Sequence, residues 1–277
     1  MISLWHWHTE PLLIGSILFC AWLYAVLTGP LRARFSGNPP YPRAEAWCFY
    51  IGLLTFYLAV GSPLDVLGEN FLFSAHMLQH KIVMYITPVL LILGLPPWIT
   101  DTLLARFRSL RKTWRFLVHP LIGGVIFTLT FSLWHYPDAY EAALTNKTIH
   151  AIEHITMFGA AILLWWAILG RSREAPPLPP GARILYIFAI TVFQLPVFVY
   201  LTFSGSVHYP TYEFAPRIIP LDPLEDQILG GIIMKTSGMF AALAVIGHSF
   251  HCWSQQARIS VSAPSSEQAA LSANSER

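Results

Sequence analysis

Apolar residues gather along this chain into stretches at 11–29, 46–62, 72–95, 117–134, 148–169, 183–203 and 228–250, separated by polar, charged or proline-rich segments. A helix needs about 20 such residues to cross the hydrocarbon core of a bilayer. Barrel strands are much shorter, and lipid tolerates only helices or closed barrels, because every backbone N–H and C=O must be satisfied internally. The pattern therefore predicts an all-α integral membrane protein, a bundle of about seven transmembrane helices forming one domain over residues 1–254. The second stretch is short, and Pro88 interrupts the third, since proline removes one helical hydrogen bond. The Ser-, Ala- and Gln-rich residues 255–277 read as a disordered cytoplasmic tail.

Composition agrees with a lipid solvent. Of 277 residues, 55% are hydrophobic and 12% charged, where a soluble domain carries about 25% charged residues. The net charge of +2 is too small to argue for a nucleic-acid partner, and three widely spaced cysteines offer no disulfide framework. Basic residues are segregated. Arg32, Arg34 and Arg43 follow the first stretch; Arg106, Arg108, Arg111, Lys112 and Arg115 follow the third; Arg171, Arg173 and Arg183 follow the fifth. By the positive-inside rule these loops face the cytoplasm, the amino terminus lies outside and the carboxyl terminus inside. The alternate loops carry Asp65 and Glu69, then Asp138, Glu141 and Lys147, then Glu213, Arg217, Asp222, Glu225 and Asp226; poor in basic residues, they face outward.

On that topology eight of the eleven histidines fall at the outer face: His6, His8, His76, His80, His135, His150, His154 and His208. Two pairs, in "HMLQH" and "HAIEH", are spaced four apart, so each pair shares one helix face. Eleven histidines placed at random would give about 0.4 such pairs, so two at equal depth call for a cause. Ionisable groups inside a span usually mark a site with partners. The pairs predict a metal centre of His76, His80, His150 and His154. Met84 and Met157 extend the two stripes and, with Met77, His135, His208, His6 and His8, form an auxiliary set. Imidazole serves copper, zinc and iron, while thioether sulfur selects soft Cu(I), so the mixture points to copper as Cu(I). Glu153, rotated about 100° from His154, is expected to support the ligands from behind, as are Gln79 and Asp226.

The segments "HMLQHKIVMYITPVLLILGLPPW", "WHYPDAYEAALTNKTIHAIEHITMFGAAILLWW" and "DQILGGIIMKTSG" together resemble the Caa3-type CtaG family of bacterial cytochrome c oxidase assembly proteins. The similarity covers roughly residues 45–250 and rests on the order of these motifs. It implies a multi-pass protein of the bacterial cytoplasmic membrane, not an enzyme, that helps copper reach the oxidase. Its partners would be oxidase subunits, a copper donor and the lipid bilayer.

Two other chemistries fit parts of the pattern. Paired histidines on facing helices can ligate haem in an electron-transfer protein, and "HAIEH" matches the His-x-x-Glu-His pattern of inverted zinc peptidases, with Glu153 as general base. Lys81 and Lys235 lie within apolar stretches and need counter-charges, for which Glu153, Glu225 and Asp226 are the acids in reach.

Overall fold

The computed structural model describes residues 4–35 and 39–262. Among them no strand occurs. Fourteen α-helices follow one another: α1 (Pro11–Thr28), α2 (Arg43–Val60), α3 (Pro63–Asn70), α4 (Phe73–Lys81), α5 (Thr87–Gly94), α6 (Pro97–Arg106), α7 (Arg108–Leu117), α8 (Pro120–Trp134), α9 (Pro137–Thr145), α10 (Lys147–Leu169), α11 (Pro180–Phe193), α12 (Leu195–Thr202), α13 (Pro210–Glu213) and α14 (Pro223–Ser262). Proline stands at the start of most of them, where its missing N–H costs nothing and its fixed φ suits a first turn.

Six spans are long and apolar enough to cross a membrane: Pro11–Thr28, Arg43–Asn70, Phe73–Gly94, Lys147–Leu169, Pro180–Thr202 and Pro223–Arg258. A bent pair, α7 with α8, makes the seventh if counted as one span. Here the structure corrects the reading of a straight span over 117–134. The chain turns by 63° between the two helices, because Pro120 cannot continue a helix through His119. α8 alone, with 15 residues, rises about 22 Å at 1.5 Å per residue, less than the ~30 Å hydrocarbon core. α7 carries Arg108, Arg111, Lys112 and Arg115 beside Leu110 and Trp114, the composition of a helix lying at the interface.

The second span also departs from expectation, continuing past Val60 through α3 to Asn70. The Ser62 hydroxyl caps α3 by accepting from Leu64 N–H. Asp65 and Glu69, expected in an exposed outer loop, thus ride a helix packed on α4, with Asp65 buried. At the far end, α14 runs on through residues 255–262, where the tail was expected to begin; the rest of that tail lies outside the described residues.

The third span is not one uniform helix. Residues Ile82–Ile86 form a π turn, in which Thr87 N–H bonds to Ile82 O. Pro88 lacks the N–H that would reach Met84 O, and the Trp165 indole of α10 donates to that carbonyl instead, at 2.8 Å. The span is thereby stitched to α10 at its irregular point. Around this seam α4 packs on α3 and α14, α10 on α5, α8 and α9, α2 on α5, and α11 on α14. α1 stays at the edge, held by Tyr24, whose hydroxyl donates to Gly94 O and whose ring stacks on Phe49 at 4.1 Å. A Cβ at Gly94 would come within 2.5 Å of the Phe49 backbone N, so the approach of α2 to α5 requires glycine there.

Basic loops meet at one end of the bundle. Arg171 contacts Glu45 at 3.1 Å and Leu93 O at 3.3 Å, and Arg111 pairs with Glu174 at 3.0 Å. His76, His80, His150 and His154 lie in the opposite half.

Candidate metal centre

α4 owes its start to a residue 150 positions away. Asp226, in the first turn of α14, accepts from Phe73 N–H at 2.7 Å, from Ser74 N–H at 3.2 Å and from the Ser74 hydroxyl. A carboxylate at a helix N-terminus satisfies orphan donors and opposes the helix dipole. Asp226 therefore fixes the turn that carries His76 and is not the counter-ion of a lysine. On the other side, Gly68 of α3 lets that helix close on α4; a Cβ there would stand 2.9 Å from His76 Cα.

His76, His80, His154 and Glu153 are all buried, and each offers a ligand atom within 4.8 Å of the others. His76 Nε2 and His80 Nε2 are 2.8 Å apart, so one imidazole donates to the other. His154 faces them, its ring centroid 5.4 Å from that of His80 and 6.2 Å from that of His76. A Glu153 oxygen lies 3.5 Å from His80 Nε2 and 3.8 Å from His76 Nε2. Neither Glu153 oxygen has a hydrogen-bond donor, nor do His76 Nδ1, His80 Nδ1 or His154 Nε2 have a partner. A fully buried carboxylate without donors costs several kcal/mol, roughly, unless a cation or donors meet it. This donor set fits a metal ion: three imidazoles and one carboxylate converge, His76 and His80 bonded only to each other through Nε2, and Glu153 and His154 Nε2 without partners.

The expected fourth ligand behaves differently. His150 Nδ1 sits 2.6 Å from Glu69 Oε1, while its ring stays 4.2 Å from that of His154 and 5.8 Å from that of His76. Its Nε2 has no partner. Glu69 thus orients His150 as carboxylates orient metal-binding imidazoles, and a second group, Asp65, Glu69 and His150, also brings ligand atoms within 4.8 Å. Glu153, expected to act from behind, converges with His76, His80 and His154, while His150 falls in the second group. Asp65 and Glu69 are candidate site residues that the sequence reading did not name. Their i, i+4 spacing in "DVLGE" was the available signal, matching the two histidine pairs.

Gln79, expected to support the histidines from behind, instead donates through its amide to Asp65 Oδ1 and to Ala59 O. His135 borders the cluster, with Nδ1 on Phe131 O at 2.6 Å, its ring 6.3 Å from His80 and its Nε2 free. His8 reaches the second group, its Nε2 3.0 Å from Asp65 Oδ2 and its Nδ1 2.8 Å from Glu10. The Asp65 carboxylate holds the His8 pKa up to about 9 against the opposing effect of burial, and His8 in turn lowers that of Glu10. His6 is exposed, 5.0 Å ring to ring from His8. His208 is not drawn in; it stacks on Tyr200 at 3.9 Å, and its N–H donates to Gln227. Met77, Met84 and Met157 belong to the apolar core, Met77 against Gly230 of α14. The expected thioether ligands therefore serve packing.

The His-x-x-Glu-His motif divides. His150 turns to Glu69, and Glu153 joins the α4 histidines. A general base beside a zinc held by His150 and His154 would need the three together. Two haem ligands would come one from each facing helix across a flat space, whereas His80 and His154 stand 5.4 Å apart between centroids with a Glu153 oxygen 3.5 Å from His80.

The family model of the cytochrome c oxidase caa3 assembly factor matches residues 22–256. The chain belongs to that family. It is 26% identical over 274 residues to uncharacterized proteins of Mycobacterium bovis and Mycobacterium tuberculosis, covering 91% of this chain and 40% of theirs. To an uncharacterized protein of Mycobacterium leprae it is 24% identical over 248 residues, 83% of this chain and 37% of the other. The chain thus spans about two fifths of the length of these curated relatives. No solved structure matches it. The family is described as one of assembly factors for a cytochrome c oxidase.

Proposed function

We propose that this membrane protein assists assembly of cytochrome c oxidase by carrying copper on His76, His80, His154 and Glu153, with His150 at the edge of the site, and handing it to an oxidase subunit. The observation that carries the reading is the buried convergence of three imidazoles and a carboxylate whose atoms lack other partners. Copper follows from the family's client, a copper enzyme, together with an imidazole-rich donor set that suits copper. Cu(I) is the state a three-imidazole site accommodates in low coordination; with the methionines assigned to the core, sulfur no longer argues for it. A copper donor outside the membrane delivers to the His6–His8 segment, which lies against Asp65. The amino terminus faces outward and the carboxyl terminus the cytoplasm of a bacterial cytoplasmic membrane. Supporting this, the basic loops converge at the end of the bundle opposite the histidines.

Metal analysis of detergent-purified protein tests the site. Wild type binds one copper tightly, and a His76→Ala, His80→Ala double variant that still melts cooperatively binds none. Equal copper in both would refute the assignment. Deletion in the host leaves oxidase subunits present but copper-poor; unchanged oxidase copper would refute the delivery role.

A further inference from the structure

Two lysines lie inside the spans, and no carboxylate meets either. Lys81 is 4% exposed, and its Nζ has no hydrogen-bond partner. Two ring faces approach it, Tyr85 at 4.8 Å and Phe131 at 5.2 Å from their centroids. Lys235 Nζ lies 5.8 Å from the Phe198 centroid. Among the described residues no ion pair reaches either lysine; the acids once in reach are committed, Asp226 to the start of α4, Glu225 to Asp222 N–H, and Glu153 to the histidines.

Both lysines line one cavity of about 10 Å³, shared by α4, α8, α11, α12 and α14 and walled also by Gln194 and Thr191. The Tyr85 hydroxyl donates to Gln194 Oε1 at 3.3 Å, leaving the amide Nε2 without a partner. The Thr191 hydroxyl is spent on Ile187 O. The polar groups left free around the cavity are thus all donors, and two of them are ammonium groups.

We propose that this cavity binds one small monovalent anion, of the charge and size of chloride, between Lys81, Lys235 and Gln194. Charge selects the class, because the buried ammonium of Lys81 and the half-buried one of Lys235 lie within apolar spans, where a counter-charge stabilises them. Size narrows it. A cavity of this volume has room for one compact sphere, which favours a monatomic anion over carboxylates, phosphate and sulfate. A water molecule would satisfy donors but neutralise neither lysine. Lys81 follows His80 directly, so the anion offsets positive charge next to the metal centre without ligating the metal.

The test uses the full chain in nanodiscs, chelated free of metal, with thermal unfolding followed in sodium gluconate progressively replaced by sodium chloride or bromide at constant ionic strength. The midpoint rises saturably with either halide. Lys235→Met weakens halide binding by about tenfold or more, as loss of a desolvated charge partner does, and Lys81→Met does the same. His80→Ala leaves halide binding within about twofold, since it lies outside the cavity. Bromide yields anomalous density between the lysines in crystals. Identical unfolding in gluconate and halide, an unchanged halide dependence in Lys235→Met, or an ordered water only at that position would each overturn the proposal. Should Lys81→Met fail to fold, the half-buried Lys235 decides the matter.

Discussion

Glutamine in place of Glu153 separates a metal ligand from a structural ion pair, because the two roles move affinity and stability in different directions. The side chain is fully buried and its oxygens lack donors, yet one of them lies 3.5 Å from His80 and 3.8 Å from His76. An ion seated among ligand atoms that lie within 4.8 Å of one another stands within about 4 Å of that charge, where Coulomb's law gives about 4 kcal/mol at an effective dielectric of ~20. Allowing for the amide oxygen that remains as a neutral donor, copper affinity should fall about 10²- to 10³-fold, at roughly 1.4 kcal/mol per decade. The metal-free protein should gain stability, since a buried charge is removed without loss of volume. At about 2–4 °C per kcal/mol, a rise of a few degrees in Tm is expected. Competition against a chromophoric Cu(I) chelator gives the affinity, and scanning fluorimetry of metal-free protein gives the Tm. Affinity within about threefold of wild type, with a lowered Tm, would refute the ligand role and make Glu153 a partner of cationic histidines.

Three further outcomes are expected. His80→Ala and His154→Ala should be strongly non-additive in copper affinity, because a site already lacking one essential ligand loses little with the next, while His119→Ala at the opposite end of α8 should be silent; additive losses would separate the two helices into different sites. Trp165→Phe should cost about 1–3 kcal/mol by leaving Met84 O unsatisfied, and Pro88→Ala in that background should recover part of it by restoring an N–H; no coupling in the double-mutant cycle would break the link between the π turn and α10. His8, with a pKa raised to about 9 from 6.5, should add its contact with Asp65 in full below about pH 6.5 and lose it as pH rises through 9, so the emission of Trp7, stacked on Tyr57, should titrate near 9 and shift downward in Asp65→Asn; a flat profile would refute the tether.

Run length and apolarity were enough to read a helical membrane protein, because lipid leaves so few alternatives for the backbone. They failed where one residue overrides composition. Pro120 bends the fourth span although the residues after it are apolar, and Asp65 and Glu69 look like loop residues until Gln79, His8 and His150 are seen to meet them from 14 to 81 positions away. Lys81 shows the same limit. Its apolar context was plain in the sequence, but that no acid would meet it was not, since Asp226, one of the acids in reach, is taken by the open N-terminus of α4.

Glu153 shows why the site itself was half legible. A helical projection separates it from His154 by about 100°, and on an isolated helix that places it outside any centre built on the His150 and His154 stripe. In the bundle, α4 does not lie over that stripe. It lies over the seam between the His154 and Glu153 faces, positioned by the Asp226 cap at its start, by Gly68 behind His76 and by the Trp165 bond at its far end. From that seam His76 and His80 reach residues 153 and 154 together, and His150, one turn earlier, is left to Glu69. Same-face spacing on each helix correctly picked out His76, His80 and His154 as neighbours. The membership of Glu153 was set by where two helices cross, and that crossing is fixed by residues nowhere near the motif.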